Sequence, residues 1–281
     1  MRKILIPTDF SETAMNAIQY ALTIFKHERC DMVIMNAFAD EVYEHTRNMV
    51  REDFQVYKEG HQKNIERKLR EEVAEMLRFT GNPKHSYSFE ARFGSLVDEI
   101  NDIVERDNID VVVMGTKGKT NDKNITFGSQ TLQVIKYVKC PVLAVPTGFH
   151  DYPVKNILFA TDYMIPYKRR ELKLLNVLGG NFGARLTVVY FSEYEKLSHR
   201  QEDNQSFLNC CLDKKRTTFI KSPTNYVTGG VNKLLKEQDF DMLVMVNHRR
   251  SYIEDLLYHS TIKKIGLEIK VPFLVLQNLN R

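Results

Sequence analysis

Short apolar runs alternate along the chain with stretches in which apolar residues recur every three or four positions. That alternation predicts strands separated by helices. Lys3-Ile4-Leu5-Ile6-Pro7 is the first run, and it stops at Thr8-Asp9. Ser11 is placed to cap a helix that carries Met15, Ile18, Leu22 and Phe25 on one side. Asp31 to Phe38 reads as a second buried strand. Residues from about Asn48 to Phe79 read as one long helix with Val50, Phe54, Ile65, Leu69 and Val73 along its apolar stripe. Ser86 to Phe93 predicts a third strand. Ser95 then opens a helix with Asp98 as its capping-box partner and Leu96, Ile100 and Ile103 on its apolar side. Ile109 to Met114 is a continuous, mostly β-branched run, the pattern of a strand buried on both faces. Gly128-Ser129 starts a helix bearing Leu132, Ile135 and Val138, and Pro141 to Val145 forms the last strand. Strands alternating with helices imply a parallel sheet covered on both faces, and right-handed crossovers leave few topologies.

The pattern then repeats. Asn156-Ile157-Leu158-Phe159-Ala160-Thr161-Asp162-Tyr163 mirrors the segment Lys3 to Phe10. Phe240 to Met245 mirrors Ile109 to Met114, and Val271 to Leu276 mirrors Cys140 to Val145, both at a spacing of 131 residues. The first match has a spacing of 153, so the second copy is shorter by about 22 residues in the region of the long helix. The Pro- and Gly-containing stretch Pro146 to Pro153 suits a linker. We therefore expect two α/β domains, residues 1–149 and 150–281, each built on a five-stranded parallel sheet.

Composition narrows the function classes. A formal charge of +4 over 281 residues is too weak to point to nucleic acid or a membrane surface. No apolar run reaches the length of a membrane span. The opening MRKILIPTDF enters a strand directly, without the apolar region and cleavage site of a signal peptide. Cys30, Cys140, Cys210 and Cys211 form no C-x-x-C pair, as expected for reduced thiols in a cytoplasmic protein. His45, His61, His85, His199 and His259 are scattered, and no catalytic motif stands out.

The strongest chemical signal follows the fourth strand: Gly115-Thr116-Lys117-Gly118, nine residues, then Gly128-Ser129. In an open parallel sheet, ligands bind beyond the carboxyl ends of the strands. Glycines let backbone approach a phosphate and take up positive φ, and Gly128-Ser129 opens a helix whose N-terminus favours an anion. Ser129 and Thr131 add hydroxyls, and Lys117 and Lys119 add charge. The order of residues is not that of a Walker A loop. Spacing alone leaves open a plain glycine-containing turn before a capped helix.

This motif, together with Pro7-Thr8-Asp9-Phe10-Ser11 after the first strand, closely resembles the ATP-binding motif of the universal stress protein family. The resemblance covers essentially the whole chain as two copies. It implies a doubly wound sheet of the adenine nucleotide alpha hydrolase-like type, with strand order 3-2-1-4-5 in each domain. That order puts the last strand of each copy at a sheet edge, where exposed N–H and C=O groups favour pairing. The resemblance thus implies that Val142 to Val145 and Phe273 to Leu276 pair antiparallel as an internal pseudo-dimer, and a homodimer of the whole chain is a further possibility. It also implies ATP as ligand, with Mg or Mn as an optional companion ion. By the same resemblance, Pro7, Thr8 and Asp9 lie on the ribose and adenine side, and the Ala37 backbone bonds to adenine. Gly115, Thr116, Lys117, Gly118, Gly128, Ser129, Gln130 and Thr131 surround the ribose and phosphates.

The second copy departs from this motif. Val246, Arg249 and His259 stand where the first has Gly115, Gly118 and Gly128, and only Ser260 matches Ser129. One ATP per chain, in the first domain, is therefore expected, and His248-Arg249-Arg250 reads as an exposed basic loop. The leading functional expectation is an ATP-binding stress-response protein without efficient turnover. Its alternatives are an adenine-nucleotide hydrolase or adenylyl-transfer enzyme on the same scaffold, and an adaptor that binds no nucleotide. Slow hydrolysis or self-phosphorylation fits the first reading as well.

Overall fold

The structure is a computed structural model that describes residues 1–118, 126–149, 153–194, 196–224, 226–247 and 269–278. Its first half runs β1 (Arg2–Pro7), α1 (Glu12–Ile24), β2 (Cys30–Ala37), α2 (Ala39–His45), α3 (Arg51–Thr80), β3 (His85–Arg92), α4 (Leu96–Asp107), β4 (Val111–Gly115), α5 (Ser129–Tyr137) and β5 (Val142–Val145). The second runs β6 (Asn156–Thr161), α6 (Arg169–Asn181), β7 (Arg185–Phe191), α7 (His199–Cys211), β8 (Thr217–Ser222), α8 (Val227–Glu237), β9 (Met242–Asn247) and β10 (Phe273–Gln277).

Strand order across the molecule is β3-β2-β1-β4-β5-β10-β9-β6-β7-β8. Each half has the order 3-2-1-4-5, and all pairs within a half are parallel. The halves meet where β10 pairs antiparallel with β5, Phe273 opposite Ala144 and Val275 opposite Val142. The expected two five-stranded sheets are therefore one continuous sheet of ten strands. The reason is physical: two edge strands with unpaired backbone groups satisfy each other.

Both faces are covered. On one, α1, α3, α6 and α7 bury Ile18, Leu69, Leu175 and Leu208 against Ile4, Ile34, Phe159 and Val188. On the other, α4, α5 and α8 bury Ile103, Ile135 and Val231 against Leu5, Val112 and Leu243. The continuous apolar runs of β1, β4 and β6 follow from this double burial. Arg170 of α6 adds a polar tie between the halves, bonding Asp110 Oδ1 at 2.7 Å and Asn108 Oδ1 at 2.6 Å.

The expected long helix begins at Arg51, and Val50 is its exposed N-terminal cap rather than part of its apolar stripe. Helix α2 is a separate element that the apolar pattern does not predict. In the second half α7, of 13 residues, stands where the first has α2 and the 30-residue α3. The shorter second copy is thus explained by this interval. Ser11 caps α1 as expected, its hydroxyl accepting from Ala14 N–H at 3.2 Å.

Candidate nucleotide site

The carboxyl ends of β1, β2 and β4 enclose a cavity of about 320 Å³. Its walls bring together segments far apart in sequence. From β1 and its turn come Pro7, Thr8 and Asp9; from β2, Ala37; from the end of β4, Gly115, Lys117 and Gly118. The start of α5 adds Gly128, Ser129, Gln130 and Thr131. Eleven of the twelve residues singled out above line this one space. Thr116 does not. It is buried, its N–H donates to Val145 O at 3.0 Å, and its carbonyl accepts from Gly128 N–H at 2.8 Å. Lys119 lies outside the described residues.

The turn after β1 is locally determined. Thr8 Oγ1 accepts from Phe10 N–H at 3.0 Å, and Asp9 Oδ1 accepts from Ser11 N–H at 3.1 Å. These bonds hold Phe10 at φ 61°, an uncommon backbone region for an aromatic residue. Asp9 is thereby turned toward the loop after β4, where a Cβ on Gly118 would stand 2.9 Å from Asp9 Oδ2.

The glycines act by closeness rather than by φ. Gly115, Gly118 and Gly128 all lack the positive φ found at Gly81, Gly148 and Gly183. A Cβ on Gly115 would meet Thr13 Cγ2 at 2.7 Å and Thr13 O at 3.1 Å. Gly115 is therefore required for packing against α1, and the expectation that the loop needs left-handed glycines is corrected. Thr131 is likewise a structural tie, because its buried hydroxyl donates to Gly115 O at 3.0 Å.

Gly128 is the N-cap of α5 and supplies no capping side chain. The first bond of the helix is Leu132 N–H to Gly128 O, so the N–H groups before Leu132 have no acceptor inside the helix. Ser129 and Gln130 are exposed at the cavity mouth. Lys117 adds a cation on this side of the cavity, and Asp9 an anion beside Gly118. The opposite end is acidic, because α2 places Asp40 and Glu41 on the wall, and Glu41 Oε2 meets His61 Nε2 at 3.2 Å.

Several wall residues were not read from the sequence: Ala14, Asn36, Asp40, Glu41, Leu96 and Met114. Asn36 was the most accessible of them to reasoning, being a polar residue ending the apolar run of β2. Its amide donates to Thr8 O at 2.8 Å, and its Oδ1 is buried without a hydrogen-bond partner. A ligand donor group fits such an acceptor. Behind the wall, Thr8 Oγ1 donates to Glu72 Oε1 at 3.2 Å. Burial, the largest cause, pushes the Glu72 carboxyl up to about 7; nearby Glu75 and Asp9 raise it further, and the Thr8 bond opposes them. Among the described residues no group of three or more His, Cys, Asp or Glu could hold a metal ion.

The corresponding strand ends in the second half carry bulkier side chains. Thr161 Oγ1 accepts from Tyr163 N–H at 3.0 Å, and Tyr163 has φ 56°, so the turn itself is reproduced. Register places Tyr190 and Phe191 where the first half has Asn36 and Ala37. Tyr190 stacks on Tyr163 at 5.0 Å, and the Phe191 ring lies where a Cβ on Gly230 of α8 would fall 2.4 Å from it. Val246 replaces Gly115. His248, Arg249, Arg250, His259 and Ser260 lie outside the described residues.

Residues 1–146 match the model of the universal stress protein family. A universal stress protein of Methanocaldococcus jannaschii is 32% identical over 158 residues, covering 51% of this chain and 94% of its own length. A second from the same organism is 32% identical over 148 residues, covering 51% of this chain and 81% of its own length. Over the whole length, the fold is shared with a universal stress protein from Archaeoglobus fulgidus. The TM-score is 0.69 at 18% identity, with 98% of this chain and 96% of that one covered. Among the described residues no helix is long and apolar enough to cross a membrane.

Proposed function

The chain belongs to the universal stress protein family, and from that premise we propose that its first half binds one ATP as a regulatory ligand in a stress response, without efficient turnover. The observation that carries this reading is the cavity at the ends of β1, β2 and β4, closed by the uncapped N-terminus of α5. Its size sits at the low end of ligand pockets, roughly 300–1,000 Å³, which suits a nucleoside with its phosphates toward the mouth.

Electrostatics sets the orientation. Phosphates go to the N–H groups of Ser129, Gln130 and Thr131, with Lys117 beside them. Asp40 and Glu41 repel phosphate from the other end, so base and ribose face β1 and β2. There Ala37 supplies backbone groups, and Asn36 Oδ1 suits the exocyclic amine of adenine. Mg or Mn finds no protein cage among the described residues, so a companion ion would be held mainly by the phosphates. Antiparallel pairing of β5 with β10 supports reading the chain as two domains, 1–149 and 150–281, that form an internal pseudo-dimer. A cytoplasmic location agrees with this role.

Titration calorimetry of the full chain with ATP tests the reading, and one site per chain is expected. The enzyme alternative is separated by a steady-state turnover assay. A rate above about 1 s⁻¹, the low end of typical enzymes, would favour it.

A further inference from the structure

The segment that would meet the phosphates is held at both ends by the other half of the molecule. At its start, the buried ring of Phe127, directly before Gly128, stands 5.9 Å from the ring of Phe273 in β10. At its end, the last turn of α5 exposes carbonyls that no later helical N–H can reach. Asn247, the final residue of β9, donates to Ile135 O at 3.0 Å and Lys136 O at 3.4 Å. Gln277, the final residue of β10, donates to Ile135 O at 2.7 Å. The two amides also bond each other at 2.9 Å, and both side chains are buried, Gln277 completely.

Such an arrangement is demanding. A buried amide is unfavourable unless its hydrogen bonds are made, and a connected network of this kind fixes one geometry. Here the geometry it fixes is the position of α5. A nine-residue helix is a stiff rod roughly 14 Å long, so a shift at its C-terminus moves its N-terminus as well. Within its own half the same segment is tied by Gly128 N–H to Thr116 O and by Thr131 to Gly115 O. The last turn is also held from its own half, where Asn101 donates to Tyr137 O at 3.2 Å, and the second half adds the contacts at Phe127 and at the Ile135 and Lys136 carbonyls.

We propose that Phe273, Asn247 and Gln277 are positioning residues for the phosphate-binding segment, so that the second half tunes the nucleotide affinity of the first. The proposal rests on the nucleotide reading above for its functional consequence, but not for its structural one. Coupling of this kind is reciprocal: ATP bound at α5 must tighten the β9–β10 end that holds it.

The test uses the full chain carrying Asn247→Ala with Gln277→Ala, and separately the milder Phe273→Leu. Hydrogen exchange without nucleotide reads the structural arm. Faster exchange is expected at residues 126–132, with the amides of β1 and β2 unchanged. Unchanged exchange at 126–132 in both variants would overturn the proposal, as would uniform acceleration across the first half. Calorimetry with ATP reads the functional arm. A loss of at least about fivefold in affinity at unchanged stoichiometry is expected, the low end of typical coupling energies. ATP should also slow exchange at Leu274 to Gln277 in the wild type. Equal affinity in wild type and both variants would overturn the proposal. A wild type that binds no ATP would instead refute the nucleotide reading, while the nucleotide-free exchange still decides whether the second half positions α5.

Discussion

Thr8 Oγ1 donates to Glu72 Oε1 at 3.2 Å, and this bond joins the wall of the cavity to the C-terminal part of the long helix α3. Thr161, the counterpart of Thr8, instead meets the Tyr167 hydroxyl at 2.5 Å. The first half thus keeps a buried carboxyl where the second has a phenol. Glu72 Oε2 has no hydrogen-bond partner.

A carboxyl held in this way makes stability depend on pH. Its pKa is pushed from 4.5 up to about 7 by burial. Between those values the folded state holds a proton that the unfolded state releases, so stability is greatest below the unfolded value. It falls as pH rises through 7. Glu72→Gln removes the titration while keeping the shape. Relative to wild type, the variant should gain roughly 2–3 kcal/mol between pH 5 and pH 8. Urea unfolding at several pH values measures this, and parallel curves for the two proteins would refute it.

Gly115 and Gly118 should respond differently to valine, although they share one motif. At Gly115 the added Cβ meets Thr13, including its backbone oxygen at 3.1 Å, so α1 or β4 must move. Overpacking of this sort costs typically 1–3 kcal/mol, and Gly115→Val should lower the melting temperature by several degrees. At Gly118 the added Cβ meets the end of the Asp9 side chain, and the backbone has no positive φ to resist it. Gly118→Val should therefore keep the fold, displace Asp9 and abolish measurable ATP binding. Thermal unfolding and calorimetry on the two variants separate the roles. Undiminished binding by Gly118→Val would mean that the phosphates lie elsewhere.

Loss of the α1 cap provides a control away from the ligand chemistry. Ser11→Ala leaves Ala14 N–H without its acceptor and should cost about 1 kcal/mol of stability. Because the Ser11 side chain is not part of the cavity wall, ATP affinity should stay within about twofold, a difference of about 0.4 kcal/mol. A tenfold loss would show that the turn after β1 is held by the cap rather than by Thr8 and Asp9.

What was legible in the chain follows from which forces are local. The double-sided burial of β1, β4 and β6 leaves continuous apolar runs, and the Ser11 and Ser95 caps leave a residue type at a fixed place. Helix α2 left no such mark. It is seven residues long, has no side-chain cap and buries only Ala39 and Val42. Asp40 and Glu41 of the cavity wall were hidden with it. The role of Gly115 was also hidden, because spacing cannot tell a glycine that admits a phosphate from one that admits Thr13. Glu72 reads in sequence as one more charge on a highly charged helix, and only the fold turns it inward.

One ATP per chain is the expectation that the two halves test against each other. Both keep the Thr-Asp turn, with Phe10 and Tyr163 in the same unusual backbone region, so the turn alone cannot select a ligand. What differs is the space beside it. Ala37 leaves room at the end of β2, whereas Phe191 presses its ring against Gly230, and Tyr190 stacks on Tyr163 in place of Asn36. Emptying that space is unfavourable, since truncating a buried phenylalanine typically costs 3–5 kcal/mol. Phe191→Ala should accordingly destabilise the second half without creating a second site, because Val246 still replaces the glycine at the end of β9. Calorimetry should return a stoichiometry of one for both wild type and variant. Two sites in the wild type would show that the second pocket opens for the ligand. Two sites only in Phe191→Ala would make that ring the sole barrier between a working half and a silent one.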